Sequence, residues 1–83
     1  MKSPDMFPTS AIAVWGEQRT ALAIRKMLAK LCDEGFVAPE HSKIIFEKTM
    51  RNSRYNPPDM LPTVMSEIVL DMMDDGNAEA RHD

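Results

Sequence analysis

The run Asn56-Pro57-Pro58-Asp59 constrains this chain more than any other feature. Two consecutive prolines cannot donate backbone hydrogen bonds, and they force the residues before them away from helical geometry. The chain must break there, whatever it forms on either side. A second punctuation lies upstream: Gly35 is placed for the left-handed residue that closes a helix, with Phe36 after it for an apolar contact back onto the last turn. Pro39 and Glu40 then suit the first turn of a new helix. Between these stops the apolar residues recur with helical rather than alternating spacing. An all-α fold follows, a small three-helix bundle with helices at about 10–33, 39–53 and 59–75.

In the first segment Thr9 or Ser10 can cap the opening amides. Val14, Ala21, Ile24, Leu28 and Leu31 fall on one face with Met27 beside them. Gly16 interrupts that face at a cost of about 1 kcal/mol relative to alanine. Such a cost is tolerable, so one continuous helix is expected. The second segment directs Ile45, Phe46, Thr49 and Met50 to a core, with Ile44 flanking. In the third, Leu61, Val64, Met65, Ile68 and Met72 form the inward stripe, and Gly76 is expected to end the helix. Leu61 precedes Pro62 and so resists helical geometry. Residues 1–9, with Pro4 and Pro8, read as an extended arm in which Met6 and Phe7 tuck against the body; 10–76 form one helical domain, and 77–83 a disordered tail.

At 83 residues, apolar burial barely outweighs chain entropy unless something staples the fold. Cys32 is the only cysteine, which excludes an internal disulfide, and His41 and His82 with one thiol match no recognised zinc spacing. No cofactor or metal is expected. What remains is good helix packing, self-association or a partner. There is no apolar run behind Met1-Lys2 to make a secretory signal and no stretch long enough to span a bilayer. A lone thiol suits a reducing compartment. A cytoplasmic, acidic, soluble protein is the expectation.

Catalysis finds little support. The three glycines, Gly16, Gly35 and Gly76, are isolated and make no phosphate-binding loop. Cys32 with His41 is the only nucleophile–base combination to consider, and the two fall on opposite sides of a helix–helix turn. A structural cysteine is the simpler account. The sequence therefore reads as non-enzymatic, with no small-molecule substrate.

Three surfaces stand out instead. The first is the third helix, where Met60, Val69 and Met73 lie off the inward stripe and widen the apolar surface beyond what two neighbouring helices cover. Methionine there suits a surface that adapts to a partner. The second is Ile12 with Trp15, offset from the core face of the first helix, either an interface anchor or a lid for the Pro4–Pro8 arm. The third is charge. Residues 59–83 carry seven acids against Arg81, a net −6, so the remainder of a −3 chain is +3. Asp71, Asp74 and Asp75 concentrate this near the end of the last helix.

Ile12, Trp15, Met60, Val69, Met73, Asp71, Asp74 and Asp75 are accordingly the expected partner-binding residues of a regulator, adaptor or inhibitor that docks another protein or a second copy of itself. Two alternatives compete. Lys43, Lys48, Arg51 and Arg54 give the second helix the basic balance of a helix-turn-helix DNA reader. The negative net charge and the Pro39-Glu40-His41 start of that helix argue against it. The acidic ending could also imitate a phosphate backbone and block a nucleic-acid-handling machine, as small phage-type inhibitors do.

Overall fold

A computed structural model describes the backbone of residues 7–82 and the side chains of residues 7–73. The fold is all-α, with no strand among the described residues. Four helices follow in order: α1 (Ala11–Trp15), α2 (Glu17–Asp33), α3 (Ser42–Asn52) and α4 (Leu61–His82). Single 3₁₀ turns, Pro39–His41 and Pro58–Met60, lead into α3 and α4. Each begins with a proline, whose fixed φ suits a first helical position and whose missing N–H is not needed there.

The expected continuous first helix is two helices. Gly16 takes φ 88° and ψ 163°, a conformation essentially reserved for glycine. The chain bends there and α2 starts in a new phase. Val14, assigned to the core by a continuous helix, is therefore 58% exposed, while Ala11 and Thr20 are buried. Tertiary bonding explains why the break wins. The first amides of α1 all find acceptors: Ala11 donates to the carbonyl of Asn56 (2.7 Å) and Ile12 to that of Ser53 (3.2 Å). Ala13 donates to the Ser10 hydroxyl (3.2 Å), and the amide of Ser10 itself, the cap residue, donates to the Phe7 carbonyl (3.1 Å). The four donors that every helix start leaves over are thus all used. Phe7 extends the attachment through its amide to the Arg54 carbonyl (2.7 Å), and its ring meets Tyr55 edge-on at 5.6 Å. Residues 1–6 of the expected arm, Met6 among them, lie outside the described residues.

The core is built from Ala11, Ile24, Leu28, Val37, Ile45, Leu61 and Met65, with Val64 also buried. Beside it runs a set of small hydroxyl residues, Ser10, Thr20, Thr49 and Ser53, all inaccessible to solvent. Each is satisfied locally or across an element. Thr20 donates to the Ala11 carbonyl (3.2 Å), Thr49 to that of Ile45 (2.7 Å), and Ser53 to that of Met50. Their small size lets helix backbones approach closely, and their bonding removes the penalty of burying a polar group.

The end of α2 closes as the sequence predicts. Gly35, at φ 84°, donates to the Cys32 carbonyl (3.1 Å), and Phe36 donates to that of Leu31 (2.9 Å). This paired pattern is the Schellman motif. Leu61 departs from expectation: despite Pro62 it is helical (φ −58°, ψ −42°), and its side chain is fully buried. Core burial outweighs the local preference. The last helix also runs past Gly76, where the sequence reading stops it, to His82. Side chains from Asp74 onward, and with them the expected mobility of 77–83, lie outside the described residues.

Candidate functional site

Three of the nine large apolar residues exposed among the described residues gather in one place. Phe36 is 65% exposed, Leu70 58% and Met73 56%, and all three line one groove between the end of α2 and the outer side of α4. Leu31, Gly35, Ser66 and Val69 complete it. The local sequence explains each placement. The Schellman turn that ends α2 throws Phe36 outward over Leu31, whose carbonyl its amide holds. On α4, Leu61, Val64 and Met65 face inward, so Leu70, nine positions after Leu61, lies on the far side of the helix. Ser66 is small and exposed, which keeps that stretch of the groove shallow-walled.

Phe36, Val69 and Met73 also border an adjoining groove with Val37, His41 and Met72, so the apolar surface continues from α4 towards the start of α3. Val69 requires a correction. The periodicity places it off the core, whereas it is half-buried and packs against the core cluster. It is a shared wall rather than a free apolar side chain. Met73 and Met60 are exposed as expected, but Met60 sits in the turn beside α1, about 20 Å along the helix axis from Met73. Met60 and Met73, expected on one surface of the last helix, therefore occupy two places.

At the α1 end, Trp15 and Ile12 are half-buried. Trp15 packs on the core, with the Arg19 guanidinium over its ring at 4.8 Å. Its apolar faces thus already have neighbours within the chain.

The charged residues fall on separate surfaces. Lys43, Lys48 and Arg51 are exposed and Arg54 is half-buried. Lys48 and Arg51 border a groove that Asp71 of α4 also lines, so that surface carries both signs. Lys43 lies on the other flank of α3, in a groove with Arg25, Cys32 and Phe46. Arg25 stands over the Phe46 ring at 5.0 Å, its charge directed onto an aromatic face. The four basic positions do not make one stripe. Asp74 and Asp75 lie beyond the described side chains.

Cys32 is half-buried against the core and lines the α2–α3 groove, while His41 lines the groove beside Phe36. The two do not share a surface. Among the described residues no three His, Cys, Asp or Glu side chains gather closely enough to hold a metal ion, and no helix is long and apolar enough to cross a membrane.

Sequence reasoning missed Phe36 and Leu70 as surface residues. Leu70 carried a usable signal, because its position opposite the Leu61 stripe follows from helical spacing alone. Phe36 carried none beyond its place after Gly35, which says where the backbone turns and not what stands over the ring. No family model, curated protein or solved structure matches the chain.

Proposed function

We propose that this chain is a non-catalytic binding protein that docks another protein through α4 and the turn after α2, as a regulator, adaptor or inhibitor of a larger complex. The observation that carries this reading is the grouping of Phe36, Leu70 and Met73, each more than half exposed, around one apolar groove. Isolated exposed apolar residues are ordinary, whereas a contiguous set marks a contact surface. The wall is also suited to the role: Met73 is flexible and polarisable and adapts to whatever it meets.

DNA binding through α3 draws less support. Its basic residues are divided between two flanks, and Asp71 stands beside Lys48 and Arg51.

The test is comparative capture from the source cell with the native chain and the Leu70→Ser variant as baits. A protein retained by the first and lost with the second supports docking through this groove. Identical sets of retained proteins would sink the reading.

A further inference from the structure

Resting on that docking role and sharpening it, we infer that the groove between the end of α2 and α4 receives a basic amphipathic helix of another protein. The shape argument comes first. The α4 wall from Ser66 to Met73 is about 10 Å long, two helical turns, and offers Ser66, Val69, Leu70 and Met73 in succession. A partner helix laying apolar residues at i, i+3 or i+4, and i+7 spans the same distance. Phe36 and Leu31 form the opposite wall.

Charge then selects among occupants. Leu70 is preceded one turn earlier by the exposed Glu67 and followed by the exposed Asp71, which also lines the α3–α4 groove with Lys48 and Arg51. On the other wall, Glu34 adjoins Gly35 and is exposed, as is the cation Lys30 beside Leu31. Along its whole length the α4 segment carries five acids against Arg81. An apolar floor with predominantly acidic margins complements a helix with lysines or arginines beside its apolar stripe.

The same charges disfavour a second copy as occupant. A twofold contact pairs a patch with itself, which brings α4 towards α4 and opposes Glu67 and Asp71 with their equivalents. Like charges across an apolar contact weaken it, so a heterologous basic helix is the better complement.

The experiment uses the full chain and three labelled synthetic peptides of about five helical turns. One is a leucine/lysine amphipathic helix, the second has the same residues in an order without an apolar face, and the third is a leucine/glutamate helix. Binding is read by fluorescence anisotropy at low and raised salt. The leucine/lysine helix should bind, at least about tenfold more tightly than either other peptide, and more weakly as salt rises. Leu70→Ser should weaken it about tenfold, and Glu67→Gln with Asp71→Asn should flatten the salt dependence. Met73→Ser serves as an independent groove variant, and thermal melts confirm that every variant folds.

Equal binding of the two lysine peptides, or no effect of either groove variant, overturns the inference. A dimer in sedimentation that Leu70→Ser dissolves, with no peptide bound, replaces the basic helix by a second copy and leaves protein docking standing. If Leu70→Ser alters neither peptide binding, nor mass, nor the captured proteins, both readings fall.

Discussion

The Thr20 hydroxyl donates to the Ala11 carbonyl across the Gly16 break, 3.2 Å between two residues with no solvent exposure. A side chain near the start of α2 thereby fixes the direction in which α1 leaves it. Thr20→Val keeps the shape and removes the donor. A buried hydrogen bond contributes about 1 kcal/mol net, so the variant should lose that amount, or about 4–8 °C in Tm for a domain of this size. Thr20→Ser, which retains the donor, should show that the loss belongs to the hydroxyl. If Thr20→Val is as stable as the native chain in urea unfolding, the bond does not hold the two helices.

Gly16→Ala isolates backbone strain. A β-carbon at this position meets nothing within 4 Å, so sterics with neighbours contribute nothing. The φ of 88° with ψ of 163° remains, and alanine should lose about 1–3 kcal/mol there. Circular dichroism should report unchanged helicity. A gain in helicity with no loss of stability would mean that the chain had straightened into the single helix its periodicity suggests.

Ser10→Ala removes the side-chain acceptor for the Ala13 amide, at a residue that is itself inaccessible to solvent. Caps of this kind stabilise by about 0.5–2 kcal/mol. The loss should appear in the denaturant midpoint with an unchanged slope, since the unfolded surface is the same.

The two faces of α4 should respond very differently to truncation. Leu61→Ala empties a fully buried position and should cost about 2–5 kcal/mol. Leu70→Ala alters a side chain that is 58% exposed and should stay within about 0.5 kcal/mol of the native chain. A large destabilisation by Leu70→Ala would place that side chain in the core and remove the groove it is said to line.

Much of the architecture was legible because its causes are local. Gly35 closing α2, Pro39 opening the next turn, the break at Pro57-Pro58, and the Ile45–Thr49 and Leu61–Val64–Met65 core positions all follow from residue chemistry over a few positions. The failures share a different cause. Gly16 tolerates either a straight or a broken helix by propensity, and the carbonyls of Ser53 and Asn56, far along the chain, decide the matter. Val14 was misplaced for the same reason, since its direction depends on the phase that the break resets. Leu61 is helical before Pro62 because the core holds its side chain, a term that dipeptide preference does not contain. Val69 was assigned outward from its angle on one helix, whereas its surroundings depend on how closely the others approach. The groove at Phe36 and Leu70 joins segments that no sequence window contains together.

The seating of α1 on the carbonyls of Ser53 and Asn56 sets an order of assembly during synthesis. The opening helix, though made first, has no acceptors for its Ala11 and Ile12 amides until the ribosome has released the chain through Asn56. Deuterium uptake at those two amides should consequently track opening of the α1–α3 junction rather than fraying of a five-residue helix.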